Sequence, residues 1–194
     1  MRKLKITGGI LRGNVIKVED HITARHTSSK VRESIFNMLG DISGKRVIDF
    51  FSGSGIIAFE AISRGANYAT FVEIDKKSIK NIKENINCLG IDNLCRILNM
   101  DVFIAIPFLH EIKEIYDIIF MDPPYEKGYI SKTFKALEEC IIYHRNSIFV
   151  VEYSKREMIE NNLSDSWDII KQKRYGDTMV AILNKIDNQG DSYE

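Results

Sequence analysis

The sequence predicts an α/β fold, in which a mostly parallel sheet is wrapped by helices. Short apolar segments alternate five times with segments of helical spacing, which is the pattern of consecutive strand–helix units. The C-terminal part follows a different pattern, because two apolar segments (residues 167–170 and 178–183) flank Gly176-Asp177. That arrangement predicts an antiparallel hairpin at one edge of the sheet.

The individual elements follow from local signals. Residues 4–7 and 14–18 predict an N-terminal β-hairpin, and Thr27-Ser28-Ser29 can cap the helix that follows it. Apolar segments bounded by glycines or polar residues predict five strands, at 46–51, 68–73, 95–98, 116–121 and 147–151. Helical spacing predicts helices at 56–64, 76–89, 102–110 and 131–143. We therefore divide the chain into a hairpin extension (1–27), a main α/β domain (28–186) and a frayed polar tail (187–194).

Composition narrows the class of protein. A chain of 194 residues with 44% hydrophobic and 28% charged residues is typical of one globular domain. No apolar run approaches the roughly 18 residues of a membrane span, and the basic N-terminus lacks the apolar stretch of a signal peptide. Three cysteines without a CxxC pair, and histidines without metal-ligand spacing, argue against disulfides and a metal site. We expect a cytoplasmic protein without a metal.

Charge is distributed unevenly along the chain. The formal net charge is zero, yet residues 1–40 hold eight Lys/Arg and three Asp/Glu, so this segment carries +5 and the remainder −5. A basic segment on an acidic body is typical of a nucleic-acid contact surface, although a solvated charged face is the alternative. The predicted RNA-binding residues are Arg2, Lys3, Lys5, Arg12, Arg25, Lys30 and Arg32.

A glycine-containing loop follows the first long strand. Asp49-Phe-Phe51-Ser-Gly53-Ser-Gly55 opens a helix, and its glycines let the backbone turn tightly beside a ligand. Ala58 completes a permitted dinucleotide fingerprint, so a nicotinamide enzyme stays possible on this segment alone. Asp49 would repel a pyrophosphate, whereas it suits S-adenosylmethionine, which carries an ammonium and a sulfonium.

Acidic residues also end the next two strands. Glu73-Ile74 lies 18 residues beyond Gly55, where a carboxylate can accept hydrogen bonds from ribose hydroxyls. Asp101 could accept from an adenine amino group or cap the following helix, and both roles are compatible. These positions predict a nucleoside site, with Glu73, Ile74 and Asp101 at its wall.

The tetrad Asp122-Pro123-Pro124-Tyr125 follows the fourth strand and has the most specific chemistry. An exocyclic amino group of a base is a weak nucleophile, because its lone pair is delocalised into the ring. The Asp122 carboxylate and the Pro123 carbonyl can accept its two hydrogens, and the prolines fix the backbone. Tyr125 can stack on a flipped-out base. The tetrad therefore predicts an amino-methyltransferase.

The chain resembles the bacterial small-subunit ribosomal RNA guanine-N2 methyltransferases of the RsmD type. The resemblance is carried by Ile6-Thr-Gly-Gly9, Arg12-Gly13, Arg25-His-Thr-Ser-Ser-Lys-Val-Arg32-Glu-Ser-Ile-Phe-Asn37, Asp49–Gly55, Glu60-Ala-Ile-Ser-Arg-Gly65, Val72-Glu-Ile-Asp75, Asp122–Tyr125 and Tyr175-Gly-Asp-Thr178. The core motifs mark amino-methyltransferases generally, and the N-terminal block is the specific part. His26 stands where this family usually has proline.

The resemblance implies a Rossmann-like, seven-stranded class I methyltransferase fold and a monomer that methylates guanine N2 in small-subunit ribosomal RNA. It implies a 30S particle, assembled or partly assembled, as substrate, and the N-terminal hairpin as the RNA grip. It also implies that Asp49, Gly53 and Gly55 hold the methionine part of S-adenosylmethionine, Glu73 the ribose and Asp101 the adenine. Asp122 and Tyr125 would orient the guanine.

Three other functions stay open on the sequence. The same tetrad occurs in enzymes that methylate adenine N6 or a protein glutamine, although this short chain lacks a large domain for recognising DNA. A non-catalytic RNA-binding assembly protein could keep the fold. We would then expect degraded cofactor and catalytic motifs, whereas Asp49, Gly53, Glu73 and Asp122–Tyr125 are intact here. A nicotinamide oxidoreductase would leave the tetrad without a role.

Overall fold

The computed structural model describes residues 2–19, 27–157, 159 and 163–186. The strands are β1 (Arg2–Lys5), β2 (Val15–Val18), β3 (Arg46–Phe50), β4 (Tyr68–Glu73), β5 (Cys95–Asn99), β6 (Tyr116–Met121), β7 (Tyr143–Ser154), β8 (Trp167–Tyr175) and β9 (Thr178–Lys185). The helices are α1 (Ser29–Leu39), α2 (Ile56–Ser63), α3 (Lys76–Leu89), α4 (Val102–Glu111) and α5 (Tyr129–Glu139), with a short 3₁₀ turn at Asp92–Leu94. No helix within these ranges is long and apolar enough to cross a membrane.

Seven strands form one mixed sheet in the order β5-β4-β3-β6-β7-β9-β8. Strands β3 to β7 pair in parallel, and β9 pairs antiparallel with both β7 and β8. The predicted fold class is therefore confirmed. The winding direction reverses between β3 and β6, which are neighbours, and such a reversal opens a crevice at the carboxyl ends of the strands.

Helices cover both faces of the sheet and create two apolar cores. One core joins α1, α2, α3 and the β1–β2 hairpin to the sheet, and the other joins α4 and α5 to its opposite face. Val47 faces the first core and Ile48 the second, as the two-residue period of a strand requires. The site at the strand ends is thus held by a rigid, doubly covered sheet.

The N-terminal hairpin packs on this body instead of extending away from it. Ile16 and Val18 are fully buried in the first core. The Lys17 N–H donates to Asn85 Oδ1 (3.0 Å), and Asn85 Nδ2 donates to the Lys17 carbonyl (2.9 Å), so the edge of β2 is joined to α3. Lys3 pairs with Lys17 across the hairpin, so their side chains share one face, and both are exposed.

A buried ion pair ties the hairpin to the helices. The side chains of Arg32 and Glu60 are 1% and 0% exposed, and Arg32 Nε donates to Glu60 Oε1 at 3.1 Å. Arg32 also donates to the carbonyl oxygens of Lys5 (2.7 Å) and Thr27 (2.6 Å), while Glu60 accepts the Thr7 N–H at 2.7 Å. The prediction that Arg32 belongs to an exposed RNA-binding surface is therefore wrong, because its guanidinium is buried and donates its hydrogen bonds to groups inside the protein.

Several element boundaries differ from the predictions. Strand β1 (Arg2–Lys5) lies two residues earlier than predicted, β8 (Trp167–Tyr175) extends five residues further, and the region between α5 and β7 changes its type of structure. Helix α5 runs over Tyr129–Glu139 instead of 131–143, since Gly128 in the left-handed conformation (φ 69°) starts it earlier. Strand β7 begins at Tyr143 instead of residue 147, because Tyr143 pairs with Tyr116 before a register shift in the ladder. The residues between 140 and 143 are apolar, and apolar runs fit helix and strand equally well. The predicted tail, 187–194, lies outside the described residues.

Candidate active site

A cavity of about 460 Å³ opens at the carboxyl ends of the parallel strands. Its wall is formed by Thr27, Asp49, Phe51, Ser52, Gly53, Ser54, Ile56, Ile57, Val72, Glu73, Ile74, Met100, Asp101, Val102, Asp122, Pro123, Pro124, Tyr125 and Tyr129. The sheet topology therefore brings together every predicted cofactor and catalytic residue except Gly55.

The loop after β3 is shaped by three residues with positive φ. Phe51 (φ 67°) is a non-glycine residue in the left-handed region, and Gly53 (φ 53°) and Gly55 (φ 76°) follow it. Strained backbone of this kind is concentrated at functional sites. A Cβ on Gly55 would lie 2.8 Å from a carbon of the Phe71 ring. Gly55 is thus required for packing behind the cavity and does not line it.

Glu73 and Asp101 are anchored by backbone N–H groups. Glu73 Oε2 accepts the Gly53 N–H at 2.7 Å, and its Oε1 accepts the N–H groups of Ile74 and Asp75, both at 2.8 Å. Asp101 caps helix α4 by accepting the Phe103 N–H at 2.8 Å, as the sequence allowed. A carboxylate has about four acceptor positions, and these contacts use three on Glu73 and one on Asp101, so both side chains can still accept from a ligand.

Asp49 is a buried carboxylate, 3% exposed, at the end of β3. Burial, followed by the nearby charge of Glu73, raises its pKa well above the usual range, and a hydrogen bond from the Ala58 N–H opposes this only in part. No ion pair joins Asp49 to a cation within the described part of the chain. A cationic ligand would stabilise the charged form of the Asp49 carboxyl and so lower its pKa.

The charges of the wall select a class of ligand. Four carboxylates line the cavity (Asp49, Glu73, Asp101 and Asp122), and the described wall holds no lysine, arginine or histidine. A pyrophosphate would be repelled here, whereas the ammonium and sulfonium of S-adenosylmethionine fit. Across the described residues, no three His, Cys, Asp or Glu side chains lie close enough together to hold a metal ion.

The tetrad after β6 forms the opposite wall. The Thr27 hydroxyl donates to Asp122 Oδ2 at 3.4 Å, a long contact, and the Tyr125 hydroxyl donates to Glu152 Oε1 at 3.1 Å. Neither Thr27 nor Glu152 was predicted. Thr27 precedes α1 and reaches Asp122 only through tertiary packing, so local patterns carry no signal for it.

Aromatic side chains form a cluster at the wall of the cavity, where Phe51 and Tyr129 line it. The ring of Tyr129 stacks on Phe103 (centroids 5.9 Å apart) and meets Phe51 edge-on (5.6 Å). Tyr129 was also missed by the sequence analysis, because the predicted helix began after it. Such a cluster suits the flat face of a purine.

A second cavity of about 440 Å³ adjoins the first. It is lined by Ser28, Lys30, Val31, Glu152, Arg174, Tyr175, Gly176 and Thr178. Tyr125 lines the first cavity and contacts Glu152 of the second, and Thr27 and Ser28 line one cavity each. The two cavities are therefore neighbours, joined by the Tyr125–Glu152 hydrogen bond.

The predicted RNA-binding residues, Arg32 excepted, lie on the surface where the structure describes them. Arg2, Lys3 and Lys5 are exposed on β1, and Arg12 is exposed in the hairpin loop. Lys30 is exposed at the start of α1, beside the second cavity. Arg25, and His26 next to it, lie outside the described residues.

Comparisons with known proteins agree with this geometry. The family model "Conserved hypothetical protein 95" matches residues 4–184. A protein named Ribosomal RNA small subunit methyltransferase D, from Buchnera aphidicola subsp. Acyrthosiphon pisum, is 35% identical over 88% of this chain and 87% of its own length. The protein of the same name from Escherichia coli K12 is 30% identical over 98% of this chain and 93% of its own.

A solved structure extends the similarity to the fold. The Escherichia coli protein yhhF superposes with a TM-score of 0.81 and 27% identity, covering 95% of this chain and 98% of its own. The family match spans both the N-terminal hairpin and the C-terminal strands, so it covers the architecture as a whole. The chain belongs to the conserved hypothetical protein 95 family, which is the family of the RsmD-type methyltransferases.

Proposed function

We propose that this protein transfers a methyl group from S-adenosylmethionine to the exocyclic N2 of a guanine in small-subunit ribosomal RNA. The observation that carries the proposal is the Asp122–Tyr125 tetrad, which forms one wall of a cavity lined by carboxylates. Relatives at 35% and 30% identity are named as small-subunit ribosomal RNA methyltransferases, which supports the substrate class. A ribosomal substrate also favours action in the cytoplasm.

The cofactor would be held by the walls after β3, β4 and β5. Asp49 would face the ammonium of the methionine part, Glu73 would accept from the ribose hydroxyls, and Asp101 would accept from the adenine amino group. When bound, S-adenosylmethionine supplies an electrophilic methyl group. The chain's part is to hold its reacting carbon opposite the tetrad, and positioning of this kind can supply roughly 7–11 kcal/mol.

The tetrad would activate the attacking nitrogen. The Asp122 carboxylate and the Pro123 carbonyl accept the two amino hydrogens, which leaves the lone pair free to attack. As the new N–C bond forms, the bond between the methyl carbon and the cofactor sulfur breaks and the sulfur keeps its electron pair. The nitrogen must then lose one hydrogen as a proton, and Asp122 would receive it. The Thr27 hydroxyl holds one oxygen of Asp122, and Tyr125 stacks on the base.

The RNA would be held by the basic face around the N-terminal hairpin. Lys3, Lys5 and Arg12 are exposed there and can contact phosphates of a folded RNA. We propose that the substrate is the assembled or partly assembled small subunit, acted on by a monomer. Methylation assays on naked ribosomal RNA and on subunits, run in parallel, test this part separately.

The deciding experiment is methyl transfer from labelled S-adenosylmethionine to small subunits from a strain that lacks this gene. We expect labelled N2-methylguanosine from the unaltered protein and none from Asp122→Ala. The matched control is Asp168→Asn, which removes an exposed carboxylate on edge strand β8 and should leave the rate unchanged. Calorimetric titration should show cofactor binding in all three proteins.

Other outcomes reassign the function. Label in N6-methyladenosine or in protein would keep the chemistry and move the acceptor. Cofactor binding without transfer to subunits, RNA, DNA or protein would instead indicate an assembly protein.

A further inference from the structure

Glu152 is a buried carboxylate (4% exposed) in the wall of the second cavity, and it accepts a hydrogen bond from Tyr125 in the wall of the first. It lies on β7, next to the strand that leads into the tetrad. In the parallel pairing of these strands Met121 lies opposite Val151, so Asp122, the first residue after β6, lies beside Glu152, which β7 keeps in the sheet through its pairing with Val180 of β9. Adjacent strands are about 4.8 Å apart, so Asp122 in the wall of the first cavity and Glu152 in the wall of the second are close neighbours along the backbone.

A carboxylate is an unusual choice for a pocket that receives RNA, because it repels phosphate. It has to meet hydrogen-bond donors, and it already accepts one from the Tyr125 hydroxyl. A carboxylate has about four acceptor positions, so further donors can be accommodated. The donor that lies beside the amino group of guanine is the ring N1–H. Adenine presents a lone pair at the corresponding ring position.

We propose that the second cavity receives the target nucleotide, with the edge of its base reaching the wall of the first, and that Glu152 is the residue that selects guanine, by accepting its N1–H while Asp122 engages the N2 amino group. This inference rests on the proposed function and adds the reason for its base preference. A base with a lone pair at N1 would face the Glu152 carboxylate without a proton between them. That arrangement sets two acceptors against each other and leaves the ring nitrogen without a donor, and a mismatch of this kind discriminates strongly.

The rim of the same cavity suits the backbone of the nucleotide. Lys30 and Arg174 supply positive charge to the cavity wall, and Tyr175 supplies a ring. Arg174 Nε donates to the Gly176 carbonyl at 2.9 Å, which holds its guanidinium at the turn between β8 and β9. The Tyr175-Gly-Asp-Thr178 motif, which the proposed chemistry does not otherwise use, thus gains a role as the outer wall of the nucleotide pocket.

The test compares guanosine with 2-aminopurine riboside at the nucleotide that the labelled product identifies. 2-Aminopurine keeps the amino group but carries a lone pair at N1. Small subunits are reconstituted with either base, and methyl transfer is measured for the unaltered protein and for Glu152→Gln. We expect the unaltered protein to prefer guanosine. The Glu152→Gln variant should lose between roughly 5-fold and 150-fold on guanosine and should gain on 2-aminopurine, because an amide N–H can donate to N1.

Two further variants separate recognition from structure. Tyr125→Phe removes the hydroxyl that Glu152 binds and keeps the carboxylate. Glu33→Gln removes an exposed charge on α1, outside both cavities, and serves as the matched control. We expect Tyr125→Phe to keep the guanosine preference and Glu33→Gln to behave as the unaltered protein.

The base preference and the cofactor affinity of these variants decide whether Glu152 selects guanine. An inverted base preference in Glu152→Gln, with unchanged cofactor affinity, supports the proposal. Unchanged activity, loss of cofactor affinity, or an equal loss of preference in Tyr125→Phe overturns it, since Glu152 would then be idle or would act through structure alone. If the unaltered protein yields no N2-methylguanosine, the proposed function itself fails, and this result is visible before any variant is made.

Discussion

At the scale of one residue, Asp49 is a carboxyl that we assign to the cofactor site and whose burial lowers the stability of the folded protein. Its carboxylate is buried beside Glu73, so the folded protein favours the protonated form and the pKa is raised. Between the unfolded pKa, close to 3.9, and the higher folded pKa, the folded state holds more protons than the unfolded one. Stability from this group therefore falls as pH rises through that window.

We predict that Asp49→Asn raises the free energy of unfolding at pH 8 by roughly 0.5–2 kcal/mol, because asparagine can keep the hydrogen bond from Ala58 without the buried charge. The gain should shrink as pH falls and reach its minimum below about 4, where aspartate becomes protonated in both states. Cofactor affinity should fall by about 10-fold or more, since a charge-assisted contact is lost. Urea unfolding at several pH values and calorimetric titration measure the two effects.

The exposed Asp168→Asn variant provides the control and should alter neither quantity. A loss of stability in Asp49→Asn at pH 8 would contradict the burial argument. Unchanged cofactor affinity would instead remove Asp49 from the cofactor site.

Single residues also show what a sequence can and cannot predict. The strand-end acids were predictable, because parallel strands deliver their carboxyl ends to one edge. Thr27 and Glu152 were not, since the first reaches the cavity by tertiary packing and the second is the tenth residue of a strand whose length was underestimated. The burial of Arg32 did carry a signal, because Ile35 and Phe36 follow it at the i+3 and i+4 spacing of one helix face.

At the scale of elements, the N-terminal hairpin depends on a close backbone contact with α2. The Ile10 N–H donates to the Ser63 carbonyl at 2.7 Å, and a Cβ on Gly9 would lie only 1.7 Å from that same oxygen. The obstacle is backbone, which cannot move aside as a flexible side chain would. The Gly8-Gly9 motif is therefore a docking contact between the hairpin and α2.

We predict that Gly9→Ala destabilises the protein far more than Gly13→Ala. Both glycines have positive φ (77° and 87°) and lie in the same loop, but a Cβ on Gly13 would meet nothing within 4 Å. Gly13→Ala should therefore cost only the conformational strain, about 1–2 kcal/mol. Gly9→Ala should cost a further 1–3 kcal/mol, roughly, through overpacking. Urea unfolding measures both, and equal costs would show that the hairpin is not docked as described.

The bounds of an element were predicted correctly where its hydrophobic pattern ended at a polar residue or a glycine. Strand β4 and helix α3 were predicted with their observed bounds, because polar or glycine residues mark both ends. The region between α5 and β7 was misplaced, since the apolar run through Ile141 and Ile142 has no period that separates helix from strand. Only pairing with β6 decides its state, and that pairing is a property of the folded sheet.

At the scale of the whole molecule, the cofactor and the RNA would meet surfaces of opposite charge. The cavity wall is acidic, whereas the hairpin and the start of α1 carry exposed cations. The buried Arg32–Glu60 pair connects these regions, because it binds the Lys5 carbonyl on β1 and the Thr27 carbonyl beside Asp122. The RNA-facing hairpin and the tetrad are thus fixed relative to each other by one buried hydrogen-bond network.

We predict that reversing the charge of Arg12 and Lys30 together weakens binding to small subunits and leaves cofactor affinity unchanged. Both side chains are exposed, and neither lines the first cavity. Loss of two phosphate contacts should lower the salt dependence of binding, the slope of log K against log salt, by about 2. The matched control reverses Lys132 and Lys135 on α5, across the sheet from the hairpin, and should change neither binding nor slope. Sedimentation with subunits at several salt concentrations measures the slope. Equal loss in both double variants would mean that the effect follows net charge and not this face, because the two variants change the total charge by the same amount.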